Sequence, residues 1–168
     1  MTNTDPIPAG LNRYSATISE YQLKEIKTPP LTQDVILAAI ENQKAVPIET
    51  VMTTATDGIE GRIQFGRQVA LTTGSVNNGR TNARQTQQFH IGTMLRLSIA
   101  PSEPETMVGV SLSFEAARVS GEGTEDSPPD IATTNITLKQ TVELGKPTLI
   151  GASTANESSF VFLTISRL

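Results

Sequence analysis

The stretch Phe89–Pro101, FHIGTMLRLSIAP, decides how this chain is read. Phe89, Ile91, Thr93, Leu95, Leu97 and Ile99 occupy every second position, the period of a strand with one face buried. The same stretch holds the only histidine, His90, one position off that register and beside Gly92-Thr93. A catalytic histidine needs an orienting carboxylate and a group to act on, and a metal site needs further ligands. Gln87, Gln88 and Arg96 supply neither. His90 is therefore expected as a polar position on the less apolar face of a strand.

Outward from this stretch, the alternation returns at Val108, Val110, Leu112, Phe114 and Ala116, after a turn over Pro101–Pro104. It returns again at Ile136, Leu138, Val142 and Leu144. A Gly-Lys-Pro turn then leads into TLIGA, and Phe160–Leu163 is apolar at consecutive positions. A strand apolar on both faces implies cover on both sides, from a second layer or a subunit contact. Near the start, Tyr14, Ala16 and Ile18 alternate, while Tyr21, Leu23 and Ile26 fit strand or helix. The segment TPPLTQDVILAAIEN predicts one helix, with Thr32 as N-cap, Asp34 in the first turn and a Leu31–Ile36 staple. Val35, Ile36, Ala39 and Ile40 form its expected buried face.

Asp57-Gly58 predicts a tight hairpin turn with positive φ at both positions. Residues 73–88 and 120–130 read as polar loops. The expected architecture is mainly β, an antiparallel barrel or sandwich with one packed helix in the N-terminal third. Residues 1–30 are expected as an arm with a short strand or helix, and residues 31–168 as one β-domain.

Composition narrows function. Thirteen basic against seventeen acidic residues argue against a nucleic-acid footprint. The absence of cysteine removes disulfides, thiolate metal sites and thiol nucleophiles. MTNTDPIPAGLNRY has neither the basic nor the apolar region of a secretory signal, and no stretch approaches the ~18 apolar residues of a membrane helix. Glu103, Glu105, Glu122, Glu125 and Asp126 sit in turn-like segments as solvated acids, without the ligand alternation of a calcium loop. GRIQFGRQ lacks the Lys-Ser/Thr pair of a phosphate loop. No nucleophile–base set assembles, so the chain is expected to be no enzyme, with no cofactor, no metal and no small-molecule substrate. Arg62, Arg67, Arg80 and Arg84 gather around the central hairpin. They are either solvated or charges that line a channel or meet a neighbouring subunit.

In order along the chain, these segments resemble the secretin family. Pro47, Asp57-Gly58, Ile63, Gly66, Val69 and Thr73-Gly74 match the opening of its core domain, where a helix, a proline-bearing strand, an Asp/Asn-Gly turn and an A-x-I-x-x-G strand follow one another. Ile91-Gly92-Thr93-Met94-Leu95-Arg96-Leu97 resembles its V-G-T-x-L-x-V strand, and Gly145, Leu149, Ile150 and Gly151 match a later G-x-t-l-v-i-G segment. FVFLTISRL resembles the closing strand, so the likeness covers residues 35–168.

The resemblance implies a non-enzymatic subunit whose strands join those of its copies in a homo-oligomeric ring. Such rings are gated channels that pass macromolecules across the bacterial outer membrane. By the same resemblance Gly66, Thr73, Gly74, Gly92 and Thr93 fall in the gate hairpin. Self-association and contact with the outer membrane or other envelope components are the partners implied, and the cell envelope is the location. GASTANESSF departs from the family's proline-rich lip. That departure keeps open a soluble or extracellular ring, tube or filament. A small β-sandwich binding module, using loops 73–88 and 120–130, is a third reading.

Overall fold

The computed structural model describes residues 11–23, 32–77, 82–121, 129–153 and 159–168, with side chains 72–85 and 153 outside the description. The described chain is mainly antiparallel β with one short helix, as its alternating apolar pattern requires. In chain order the elements are β1 (Arg13–Leu23), α1 (Gln33–Glu41), β2 (Ala45–Thr56), β3 (Gly61–Asn77), β4 (Asn82–Pro101), β5 (Met107–Ser120), β6 (Asp130–Glu143), β7 (Thr148–Ser153) and β8 (Ser159–Arg167). They form two four-stranded sheets, ordered β2-β1-β8-β7 and β3-β4-β5-β6, and neither closes into a barrel.

The described part of the expected arm is no periphery. β1 lies between β2 and β8, antiparallel to both, with Ile18 opposite Val51 on one side and Leu163 on the other. Its even positions Tyr14, Ala16 and Ile18 are buried, and so is Leu23. A strand bonded on both edges has every backbone donor and acceptor placed in a ladder, which fixes it at the sheet centre.

Two compact units divide the chain. The first comprises 1–61, 97–111 and 138–168, and the second 62–96 and 112–137. The long strands of the second sheet contribute to both units. Within the first unit, Val161, Leu163 and Ile165 of β8 face the interior, together with buried Ile99, Val108 and Val110. On the other face of β8, Phe160 and Phe162 form a cluster with Leu23 and Ile36. Tyr21 meets Phe162 edge-on, with ring centroids 6.3 Å apart. Helix α1 is therefore the cover that the two-sided apolar strand required.

The helix meets its sheet differently from expectation at two places. Val35 is half exposed and only Ile36 is fully buried, because a nine-residue helix turns one narrow stripe inward. Thr32 occupies the N-cap position, yet its side chain makes no cap hydrogen bond. Gln33 anchors that end instead: its Nε2 donates to the Pro147 carbonyl (3.2 Å) and its Oε1 accepts from the Leu149 amide (2.9 Å). Leu31, the other half of the expected staple, lies outside the described residues.

Asp57-Gly58 turns the chain but makes no hairpin. Only Gly58 has positive φ (+68°), and β2 and β3 belong to different sheets. The turn's donors are committed elsewhere: Asp57 N donates to Asn12 O (3.0 Å) and Gly58 N to Ile99 O (2.9 Å). Asp57 is buried and its Oδ2 accepts from Asn12 Nδ2 (2.9 Å), which clamps the turn to the start of β1. The loop expected over 73–88 is also shorter, since β3 runs to Asn77 and β4 begins at Asn82. Polar Ser, Thr and Asn side chains continue a strand when a paired neighbour satisfies the backbone.

Tyr14 reports on the Asp57 clamp. Its buried hydroxyl and Asp57 Oδ1 both lack a hydrogen bond of good geometry. Burial first, and then the Asp57 carboxylate, push the phenol above its usual 10.0, while Arg167 pulls the other way. The folded state thus favours the neutral phenol. Its contribution is complete below about pH 10 and declines as pH rises through the raised folded value. Denaturant titrations across pH 8–12 should show an alkaline loss of stability that Tyr14→Phe flattens. An unchanged alkaline limb in that variant would contradict this role.

Candidate functional site

The residues singled out for function fall mainly on β3 and β4 within the second unit. Three contacts there define which side chains share a face. Arg62 Nη2 donates to Gln64 Oε1 (3.1 Å) and approaches Met94 Sδ (3.7 Å). Gln68 Nε2 lies 3.0 Å from His90 Nε2, an amide–imidazole hydrogen bond across the strands. Even-numbered positions of β3 and β4 thus lie on one face. Thr93 and Leu95, at odd positions, are buried on the other.

Between these contacts Gly66 and Gly92 meet backbone to backbone. A Cβ built on Gly66 would collide with the Ile91 carbonyl oxygen, and one on Gly92 with the Phe65 carbonyl and the Gly66 Cα. Gly92 also has φ +144°, which residues with a side chain rarely adopt. Glycine at both positions is what allows the strands to approach this closely. Sequence reasoning placed both glycines in one hairpin; the structure brings them into direct contact.

A cavity of about 430 Å³ opens over this crossing, lined among others by Gln64, Gln68, His90, Met94, Glu115 and Ala117. His90 is exposed, as its place off the apolar register requires, and its bond is to the Gln68 amide. Thr93, beside Gly92, is buried and is among the lining residues. Among the described residues, no group of three His, Asp or Glu side chains gathers to hold a metal ion. The arrangement is one of shape: two side-chain-free positions that let two long strands touch.

Of the other predicted residues, Arg67 also lines this cavity. Thr73 and Gly74 lie on the backbone of β3 and Arg84 on that of β4, with their side chains outside the described residues; Arg80 lies outside altogether. Arg62 and Arg67 are exposed and five residues apart, an odd spacing that sends them to opposite faces of a regular strand. Of the two, Arg67 lines the cavity, while Arg62 contacts Met94 at its margin. Sequence reasoning missed the Gln33 anchor and the Asn12–Asp57 clamp. Neither has a local signature, since each joins residues far apart in the chain.

These geometries yield a paired prediction. Gly92→Ala carries both the strained φ and the backbone collision, so its cost should reach several kcal/mol, about 1–3 from the backbone conformation alone. His90→Ala removes one exposed hydrogen bond and should stay within about 0.5 kcal/mol. Urea unfolding of both variants checks this ranking. Near-equal stabilities would contradict the glycine crossing.

Comparison with protein-family models and with curated proteins finds no match. Comparison with solved structures does. The secretin InvG of the Salmonella SPI-1 type III secretion injectisome aligns over 94% of this chain and 62% of its own, at 12% identity and TM-score 0.51. InvG as solved within that injectisome's basal body, with PrgH and PrgK, aligns over 94% of this chain and 44% of its own, at the same identity and TM-score. The chain therefore spans less than two thirds of the secretin chains it matches. At 12% identity the likeness is one of fold, and the fold of this chain is that of the secretin β-domain.

Proposed function

We propose that this chain is a non-enzymatic structural subunit that associates with copies of itself through its β-strand edges into a secretin-like ring or channel. The observation that carries the reading is the β3-β4-β5-β6 sheet, whose outer strands β3 and β6 have 17 and 14 residues. An edge strand presents unpaired N–H and C=O groups, and proteins blunt such edges with short strands, prolines, lysines or bulges. β3 contains neither proline nor lysine, and β6 contains one lysine, Lys139. Four antiparallel strands also place β3 and β6 in opposite directions, so each copy continues the next without breaking the antiparallel order. Closure into a ring removes both edges.

The secretin fold supports the same reading, with passage of macromolecules across the bacterial outer membrane as the function and envelope components as further partners. The polar face of the second sheet fits a water-filled lumen, since Gln64, Gln68, His90, Glu115 and Asn135 are exposed there. No helix among the described residues is long and apolar enough to cross a membrane, so any crossing falls to strands.

Native mass measurement and negative-stain imaging of the purified chain should show closed multimers with a central lumen. A monomer at all concentrations, with or without lipid vesicles, would overturn the proposal. Conductance across vesicles containing the multimer then separates a membrane channel from a soluble ring.

A further inference from the structure

The apolar face of the second sheet is complete at its centre and unfinished at both edges. Within the second unit Leu95, Leu112 and Phe114, on the inner strands β4 and β5, are 1–2% exposed. On the same face, Ile63 of β3 and Ile136 of β6 are only half-buried. Phe65, two positions beyond Ile63, is 49% exposed, an unusual state for an aromatic ring on an otherwise apolar face. The face assignments are independent of any partner. The Arg62–Met94 and Gln68–His90 contacts put the odd positions of β3 with buried Leu95, while the burial alternation of β5 and β6 puts Ile136 with Phe114.

We infer that Phe65 and Ile63 of one copy pack on Ile136 of the next, forming the apolar seam that sets which face of β3 aligns with which face of β6. The inference rests on the self-association proposed above and adds its location and facing. The occupant is a second copy of this chain, because both halves of the seam lie on opposite edges of one sheet and match in polarity on both faces. Apolar Ile63 and Phe65 stand against apolar Ile136; polar Arg62 and Gln64 stand against polar Asn135 and Thr137. Pairing with the opposite facing would set Arg62 and Gln64 over the apolar row and turn Phe65 to the polar face. A one-residue slip therefore carries a penalty at Ile63, Phe65 and Ile136, which is how a buried face specifies strand register.

The cysteine-free chain makes the seam directly testable. Phe65→Cys is combined in turn with Thr134→Cys, Ile136→Cys or Leu138→Cys, and with Asn135→Cys as the opposite-face control. Each protein is oxidised in its assembled state and run on a denaturing gel. The expected result is a ladder of covalent multiples from one or more of the even-numbered partners, and none from Asn135→Cys. In parallel, Phe65→Glu should leave the circular dichroism of the monomer unchanged, because the ring is half exposed there. It should also raise the concentration needed for assembly at least about tenfold.

A ladder from the Asn135→Cys pair alone, or intact multimers without a ladder from any even-numbered pair, overturns the seam while self-association stands. Unaltered assembly by Phe65→Glu overturns it equally. Absence of multimers in the unmutated chain instead overturns the proposal on which the seam rests.

Discussion

The structure depends on β1 being a strand with neighbours on both sides. Once Arg13–Leu23 is bonded to β2 and β8, the two ends of the chain are joined through one ladder. β8 then lies beside a central strand with apolar residues on both of its faces, and each face needs a cover. One cover is the interior of the first unit; the other is helix α1, seated by Ile36 and tied to the β7 end by Gln33. Removing the Ile36 side chain would leave a cavity between helix and sheet, of the kind that costs about 2–5 kcal/mol in a packed core. The Asn12–Asp57 clamp acts on the same strand from its other end, where the chain leaves the first sheet for the second.

The second sheet obeys a different constraint. Its inner strands pair on both sides and bury their apolar row, whereas β3 and β6 each pair on one side and leave Ile63, Phe65 and Ile136 partly exposed. Long antiparallel strands with an apolar row running from edge to edge are an incomplete object in water. Completion by copies of the same chain, as proposed, would answer both deficits with one contact. The glycine crossing of Gly66 and Gly92 sits within this sheet and involves β3, one of its two edge strands. Any ligand in the cavity above it would meet amide, imidazole and carboxylate groups and bare backbone.

Much of this was legible in the residues. The two-residue period of Phe89–Ile99 and Val108–Ala116 predicted β4 and β5 because burial on one face is a local property of alternating sequence. The consecutive apolar residues Phe160–Leu163 predicted two-sided cover for the same reason. The order of motifs around Gly66, Gly92-Thr93 and Gly151 resembled the secretin core, and the solved structures agree at the level of fold. What escaped was whatever depends on partners distant in sequence. Asp57-Gly58 has the composition of a hairpin, but Asn12 and Ile99 take its amides and turn it into a crossing between sheets. Thr32 has the chemistry of a cap, yet Gln33 fixes that helix end through residues more than a hundred positions away. The polar composition of 73–88 concealed strand continuation, since a ladder is stabilised by its neighbour's backbone and not by its own side chains.

The central claim is that the second sheet is finished by another copy of the chain along β3 and β6. Amide hydrogen exchange, followed strand by strand over a range of protein concentrations, addresses it most directly. The account predicts that outward-facing amides of β3 and β6 exchange quickly at high dilution and become protected together as concentration rises, while the central strands β4 and β5 stay protected throughout. Equal protection of all four strands at every concentration, with a monomeric mass, would contradict it.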